Sequence, residues 1–577
     1  MEQFLVSFRK WKENVQNNDE LTNELVSIET DPRQIEECFC KYLEFGTGGM
    51  RGVIGAGTNR MNIYTIRKAT QGLANYLQKA FPAEEQKVVI AYDSRYKSRD
   101  FALEAALVLA NNRIKTYVFE KIAPTPLLSY AVVQLQATAG IVITASHNPK
   151  EYNGYKVYGK HGGQLTDAFS NAVTAEIQAV ENEFAIPVAD QEAAEKEGYL
   201  LWLDDKILGR YIQETKKLLL NEELLPEAGD LRIVYTPLHG TGLIPVTRLL
   251  KECGFSDVHV VKEQADPDPA FPTVVSPNPE ERSACALAID LARKINADLV
   301  LATDPDADRV AFTVRTKSGD YVSFTGNQTG ALLIDYLLQM RARKNILPEN
   351  SIIIKTIVTS EMGVRIAQDY GVKHLDVLTG FKYIGEKIAE FEETKQHTFL
   401  FGYEESYGYL IGSYVRDKDA VQTCLLLAEM ALYYKKQGSD IAERLEQLYQ
   451  KYGYFKEDLI NITMPGLEGQ KQLCKVMSYF RDNPLSEIKG YPIAVRKDYL
   501  FSEAIDCACD SKTPIELPCS NVLQYLFTTG AWCCIRPSGT EPKLKIYFAV
   551  KGKSPEEAQQ QLTALKDGFL ELINSVK

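Results

Sequence analysis

Five times along the chain a short apolar run gives way to a polar or glycine-rich loop. The runs are 87–91 (Lys-Val-Val-Ile-Ala), 140–144 (Gly-Ile-Val-Ile-Thr), 298–303 (Asp-Leu-Val-Leu-Ala-Thr), 398–401 (Thr-Phe-Leu-Phe) and 531–535 (Ala-Trp-Cys-Cys-Ile). Short apolar runs bounded by turn residues read as buried strands. The alternation of strand, loop and helix predicts α/β layers with a largely parallel sheet in each domain. In such sheets ligands bind in the loops beyond the carboxyl ends of the strands. The last four runs each feed a loop rich in functional side chains, one per domain-sized stretch. The economical arrangement is four domains facing one cleft, divided at 1–205, 206–325, 326–450 and 451–577. The proline-dense stretch 265–272 is too rigid for a helix or central strand and is expected to be a structured loop. Ser554-Pro555-Glu556-Glu557 predicts the start of a final helix, with a serine cap, proline in the first turn and a capping-box glutamate.

Length and composition narrow the class. A chain of 577 residues is several times the common domain size of ~100–150 residues. Its 45% hydrophobic and 25% charged residues are ordinary for a globular protein. The net charge of -12 disfavours nucleic acid or an anionic membrane as the main partner. No apolar run approaches the ~20 residues that span a bilayer, and the first residues lack a signal peptide's apolar core, so a cytoplasmic location is expected. The 11 cysteines show neither C-x-x-C spacing nor an adjoining histidine cluster, which argues against zinc and for reduced thiols used as small core residues.

The loops carry the candidate chemistry. Asp304, Asp306 and Asp308 stand at alternate positions after a buried strand, and three carboxylates so close require a positive partner. A hard cation with oxygen ligands meets that need, and magnesium suits a phosphate site. An EF-hand would require glycine and glutamate where Arg309 and Arg315 stand, so that reading fails; an ion-free acidic turn is the alternative. Arg536-Pro537-Ser538-Gly539-Thr540 combines a guanidinium fork, hydroxyls and a glycine, the donor set of a phosphate clamp, although a plain turn between strands fits equally well. Gly402-Tyr403-Glu404-Glu405-Ser406 supplies acceptors suited to sugar hydroxyls, although by itself a solvated acidic loop is the default reading. Ser146, in Thr144-Ala145-Ser146-His147-Asn148-Pro149, reads by itself as a turn or cap residue. It lacks the Gly-x-Ser-x-Gly elbow of a hydrolase, and His147 is expected to point elsewhere. Residues 154–161 only approximate a nucleotide P-loop, since His161 stands where Ser or Thr is required; 46–52 lacks dinucleotide-binding spacing.

Taken together, these loops resemble the α-D-phosphohexomutase family of phosphoglucomutases, phosphomannomutases and relatives, most nearly the subgroup that includes phosphopentomutases. Four signatures appear in family order: Thr-Ala-Ser-His-Asn-Pro at 144–149, Asp-Pro-Asp-Ala-Asp-Arg at 304–309, Gly-Tyr-Glu-Glu-Ser-Tyr-Gly at 402–408 and Arg-Pro-Ser-Gly-Thr-Glu-Pro-Lys at 536–543. The resemblance covers essentially the whole chain. It implies three related mixed-sheet α/β units plus a smaller C-terminal α+β domain around a central cleft. It also implies a phosphorylated Ser146, with Asp304, Asp306 and Asp308 holding one Mg2+ together with that phosphate. Glu404 and Ser406 would bind sugar hydroxyls, while Arg536, Ser538, Gly539 and Thr540 would grip the phosphate not being transferred. Thr379, Gly380, Lys382 and Arg309 would complete the substrate site, and Lys156 and Arg51 would assist proton transfer.

The implied reaction interconverts glucose 1-phosphate and glucose 6-phosphate, primed by glucose 1,6-bisphosphate, with sugar phosphates as the only partners and the oligomeric state open. Two departures stand out. Tyr403 interrupts the usual Gly-Glu-Glu-Ser, and no histidine matches the Gly-Glu-Met-Ser-Gly-His form of many phosphomannomutases. The Glu-Glu-Ser core favours glucose. Phosphopentomutase, phosphomannomutase or bisphosphate synthase activity would use the same site; a metallophosphatase and a non-catalytic sugar-phosphate sensor are more distant rivals.

Overall fold

The computed structural model describes residues 3–15, 18–46, 48–464, 466–538 and 543–576. Three helices, Gln3–Asn14, Asp19–Ile28 and Pro32–Phe39, open the chain. Asn18 and Asp31 cap the second and third by accepting backbone N–H groups. Phe8, Trp11, Leu25 and Phe39 form their shared apolar core. Trp11 Nε1 donates to the buried Glu183 at 3.1 Å, fastening this bundle to the first sheet unit.

The first sheet contains β1 (Gly49–Val53), β2 (Lys87–Tyr92), β3 (Lys115–Phe119), β4 (Ala139–Ile143), β5 (Tyr152–Gly159) and β6 (Leu200–Leu203), in the order β1-β5-β4-β2-β3-β6. The second contains β7 (Ile233–Thr236), β8 (Val258–Val260), β9 (Leu299–Thr303), β10 (Val310–Arg315) and β11 (Tyr321–Ser323), ordered β11-β10-β9-β7-β8. The third contains β12 (Ser351–Thr356), β13 (Lys373–Val377), β14 (Thr398–Glu404) and β15 (Gly408–Leu410), ordered β13-β12-β14-β15. The last is built from β16 (Tyr454–Thr463), β17 (Glu487–Ile488), β18 (Tyr491–Asp498), β19 (Glu503–Asp506), β20 (Lys512–Pro514), β21 (Leu523–Phe527), β22 (Trp532–Pro537) and β23 (Lys543–Gly552). Among the described residues, no helix is long and apolar enough to cross a membrane.

The expectation of a largely parallel sheet in every domain, with each loop leading into a helix, needs correction. The first three sheets are mixed, and every described pairing in the last is antiparallel. The four motif loops each join antiparallel neighbours: Ile143 faces Tyr155, Thr303 faces Val310, Glu404 faces Gly408 and Pro537 faces Leu544. The physical reason is connection length. Parallel neighbours need a crossover of roughly a dozen residues or more, and these loops are shorter. Of the five loops singled out in the sequence, only the one after β2 leads into a helix, Ser98–Asn111.

Two smaller readings also shift. Ser554 caps the last helix by accepting from Glu557 N, but the Glu557 carboxylate accepts from Lys553 N, one residue before the cap. All cysteines are free; six are buried, while Cys40, Cys474, Cys509 and Cys519 are exposed and Cys507 is half-buried. The core role therefore holds for Cys38, Cys253, Cys285, Cys424, Cys533 and Cys534 and not for the rest.

One apolar core runs from Val89 in the first sheet through Tyr235, Ile353 and Leu426 to Trp532 in the last. Helix Ala420–Lys436 is buried along nearly its whole length and fills the middle of this core. The segment before it, Arg416–Asp419, is a knot between the units. Arg416 N donates to Ser129 Oγ, Tyr158 OH donates to Asp417 Oδ2, and Lys418 Nζ pairs with Asp308. Tyr211 OH donates to Asp419, which caps the helix.

Candidate functional site

Ser146 lies just beyond β4 with φ +50°, in the left-handed region that a non-glycine residue occupies only when its surroundings hold it there. Arg95 supplies much of that hold. Its guanidinium, buried against the ring of Phe271, donates to the carbonyls of Ser146 (2.5 Å), Asn148, Pro149 (2.8 Å) and Tyr152 (3.2 Å). Asp93 pairs with Arg95 and accepts from Thr144 Oγ1 at 2.6 Å, and that hydroxyl in turn accepts from Ser146 N at 2.8 Å. Fixed in this way, Ser146 Oγ donates to Asp304 Oδ2 at 2.6 Å.

His147 does not point away, as the sequence suggested. Its Nδ1 lies 3.2 Å from Ser146 Oγ, because the left-handed turn folds successive side chains towards each other. Burial lowers its pKa well below 6.5, and Arg309 and Arg51 lower it further. A hydrolase histidine is instead oriented and charged by a carboxylate, so this ring is poorly placed for that role.

The loop between β9 and β10 brings Asp304, Asp306 and Asp308 together, with ligand atoms within 4.8 Å of one another and all three side chains buried. Asp304 Oδ1 accepts from the backbone N–H groups of Asp308 and Arg309. Asp306 Oδ2 accepts from Thr125 Oγ1 at 3.0 Å and lies 3.2 Å from Lys156 Nζ. Lys418 Nζ is 3.1 Å from Asp308 Oδ2. Burial, then Asp306 and Asp308, raise the Asp304 pKa well above the usual carboxylate range. Burial also pushes Asp306 up, but Lys156, Asp304 and Lys418 reverse that and hold it low. Asp306 Oδ1 and Asp308 Oδ1 are buried acceptors without a hydrogen-bond partner. Buried oxygens of this kind require satisfaction, and an oxygen-liganded divalent cation among the three would supply it. The residues fit a metal.

Around this centre, Arg51 on β1 donates to Asn148 Oδ1 at 2.9 Å, and Lys156 on the neighbouring β5 contacts Asp306. Arg309 is paired with Glu280. Glu404, at the end of β14, is buried and accepts from Gly380 N at 2.9 Å, where φ +123° demands glycine. Thr379 Oγ1 is buried without a partner. Burial and the Glu404 charge raise Glu405 to about 7. Ser406 sits half-buried at the tip of the same loop, and Tyr407 O accepts from Val310 N, tying this loop to the acidic one. A Cβ at Gly408 would come within 2.1 Å of the Lys418 side chain, so glycine there leaves the ammonium its path to Asp308.

Lys382 is not a free cleft cation: its ammonium meets Asp167 at 2.5 Å, closing the seam between the first and third units. Arg536, at the end of β22, is close enough for its charge to act on Glu405 and Tyr383. Ser538 N donates to Lys543 O at 2.7 Å, while Gly539 and Thr540 lie outside the described residues. Tyr403, the residue that interrupts the family pattern, is fully buried against Phe401, so it is a core residue rather than a ligand-facing one.

Sequence reasoning missed Lys418, Asp417, Thr125, Arg95 and Glu280. One signal was present: Arg416-Asp417-Lys418-Asp419 is a run of four charges directly before an apolar helix, a place where exposed charge would be wasteful.

Comparison with known proteins follows the same division of the chain. Four family descriptions match in order: Phosphoglucomutase/phosphomannomutase, alpha/beta/alpha domain I (residues 42–184), domain II (209–319), domain III (325–452) and the C-terminal domain (459–567). A Phosphoglucomutase of Staphylococcus aureus (strain MSSA476) is 38% identical over 550 residues, covering 95% of this chain and 96% of that protein. Among solved structures, the open form of pp63/parafusin (phosphoglucomutase) from Paramecium aligns with TM-score 0.65 and 17% identity, covering 92% of this chain and 95% of that one. A phosphoglucomutase/phosphomannomutase family protein from Burkholderia thailandensis aligns with TM-score 0.63 and 17% identity, over 92% and 97% of the two chains. At these identities the structures speak for the fold alone.

Proposed function

Because this chain belongs to the phosphoglucomutase/phosphomannomutase family, we propose that it is a phosphoglucomutase, an isomerase that interconverts α-D-glucose 1-phosphate and D-glucose 6-phosphate through a phosphoserine at Ser146. The observation that carries the mechanism is the 2.6 Å contact between Ser146 Oγ and Asp304 Oδ2. It sets Ser146 Oγ beside the three buried carboxylates that would hold the cation.

Asp304, Asp306 and Asp308 hold Mg2+, which when bound screens the negative charge of the phosphoryl group. The remaining work belongs to side chains. Glu404 and Ser406 hold the sugar hydroxyls, and Arg536, Ser538, Gly539 and Thr540 grip the distal phosphate, so the acceptor hydroxyl faces phospho-Ser146. The phosphorus–Oγ bond of Ser146 breaks as a bond forms to the sugar oxygen, and the proton on that oxygen ends on the Ser146 Oγ left behind, with the Lys156 and Arg51 cations assisting the transfer by stabilising the negative charge that develops. The bisphosphate then turns end for end, and its other phosphoryl group returns to Ser146 as a proton is restored to the oxygen left behind. Alignment and charge neutralisation supply most of such a rate enhancement, and Ser146, Asp304 and Glu404 are held by hydrogen bonds before substrate arrives.

Lys418 adds a permanent positive charge. Burial disfavours its ammonium, but Asp308, Asp417 and Glu404 more than offset that and raise its pKa. Glucose 1,6-bisphosphate primes unphosphorylated Ser146. Support for glucose comes from the Glu404-Glu405-Ser406 core and from the name of the 38% identical relatives. The test is conversion of glucose 1-phosphate by purified protein with Mg2+ and a trace of the bisphosphate, beside mannose and ribose phosphates. Preferred turnover of the glucose ester supports the assignment, and preference for another sugar phosphate overturns the substrate while keeping the chemistry.

A further inference from the structure

Arg309 closes the acidic loop, and its position is decided by two competing anions. Its Nη1 donates to Glu280 Oε1 at 2.5 Å, while its Nε lies 3.9 Å from Asp308 Oδ1, too far for a hydrogen bond. Nε is buried and has no hydrogen-bond partner. Asp308 Oδ1 is likewise buried and unpartnered. A donor and an acceptor that could satisfy each other therefore stand apart, while the same guanidinium is engaged by Glu280.

Glu280 is itself placed with care. It follows Ser276-Pro277-Asn278-Pro279, a stretch that two prolines stiffen. Asn278 Oδ1 accepts from Glu280 N at 3.1 Å, and Asn278 O accepts from Glu281 N at 3.0 Å. Ser276 Oγ donates to His147 O at 2.9 Å, so the same segment is pinned to the serine loop. Further back, His239 Nε2 meets Thr273 Oγ1 at 2.9 Å. The loop thus presents the Glu280 carboxylate to Arg309 from a braced backbone.

We propose that Glu280 is a positioning residue that holds the Arg309 guanidinium off Asp308, leaving the Asp308 oxygen to a divalent cation and the Arg309 Nε–H to an oxygen of the bound sugar phosphate. This rests on the reading that Asp304, Asp306 and Asp308 hold Mg2+. Without the Glu280 charge, the guanidinium moves towards Asp308 and competes with the cation for it. Neighbours that orient metal ligands typically carry a 10–100-fold effect on metal affinity.

The test is calorimetric titration of the full-length protein with MgCl2 in the absence of sugar phosphate, on wild type, Glu280→Gln and the double variant Glu280→Gln/Arg309→Gln. Circular dichroism melting of each variant verifies folding, which Glu280 at a rim position should not disturb. The expected result is roughly tenfold weaker Mg2+ binding in Glu280→Gln and recovery to wild-type affinity or better in the double variant, where the competing cation is gone. Unchanged Mg2+ affinity in Glu280→Gln overturns the proposal, as does a double variant that binds as weakly as the single one. A wild type that binds no Mg2+ instead overturns the metal reading on which the proposal depends. Isomerisation kinetics separate the second role: Glu280→Gln is expected to raise KM for glucose 1-phosphate several-fold at saturating Mg2+, and an unchanged KM contradicts it.

Discussion

Ser146 Oγ and Asp304 Oδ2 meet at 2.6 Å although 158 positions separate them in the chain and they belong to different sheets. The contact exists because β4 and β9 end at the same cleft and because each loop after them turns back sharply, with Ser146 at φ +50° and Ala307 at φ +50°. The serine and the acidic loop thus form one chemical unit. Perturbing either should have consequences that can be told apart.

Asp304→Asn keeps the side chain's shape and an oxygen for the Asp308 and Arg309 backbone N–H groups but removes the charge that would hold the cation. It should abolish the rise in Tm that MgCl2 gives wild type. Isomerisation should fall on the order of 10³-fold, as expected when several kcal/mol of charge screening are lost. Differential scanning fluorimetry with and without MgCl2, beside a coupled activity assay, checks both halves.

Arg95→Lys keeps the charge beside Asp93 but cannot bond four carbonyls at once. The serine loop should loosen, with a stability loss of roughly 2–4 kcal/mol and a larger proportional loss of activity. Urea unfolding and isomerisation rates measure the two effects. An Arg95→Lys protein with full activity would show that the left-handed serine does not depend on this guanidinium.

Glu429 gives a pH prediction with a defined sign. Its carboxylate accepts from Leu220 N and Asn221 N, yet burial raises its pKa to about 7. The unfolded value is about 4.3, so below that pH both states are protonated and the group contributes nothing. Between about 4.3 and 7 the unfolded chain releases a proton that the folded one keeps, and stability falls as pH rises; above 7 the loss is complete. Glu429→Gln removes this cost while keeping an acceptor. Its unfolding free energy should match wild type near pH 4 and exceed it near pH 8, by up to about 4 kcal/mol.

Tyr158→Phe removes the phenol that donates to Asp417 at 2.6 Å and leaves that buried carboxylate with one donor fewer. A stability loss of about 1–3 kcal/mol follows from an unsatisfied buried acceptor. Because Asp417 also contacts Lys418, activity should fall beyond what the unfolded fraction accounts for. Comparing specific activity at 10 °C with folded fraction separates the two contributions.

The apolar runs revealed the strands before these loops because buried strands must be short and continuously apolar: 298–303 became Leu299–Thr303 and 398–401 grew to Thr398–Glu404. Strand direction was not legible, since an apolar run reads the same whether its neighbour is parallel or antiparallel. The aspartates could be recognised because their spacing in the chain is their spacing in the site. Lys418, Thr125 and Glu280 could not, because each enters the site from another element and only tertiary contact gives it a role. His147 was misjudged for a related reason: whether adjacent side chains converge depends on a positive φ that nothing in the residue types declares.

The most direct test of the account follows the phosphoryl group itself. Protein carrying radiolabelled phosphate is mapped by peptide mass spectrometry, then chased with unlabelled glucose 1-phosphate and Mg2+. The account predicts label on Ser146 alone, leaving it within the chase and appearing in glucose 1,6-bisphosphate and glucose 6-phosphate, with none incorporated by Ser146→Ala. Label that stays on the protein during turnover, or that is released as inorganic phosphate, would contradict transfer through Ser146.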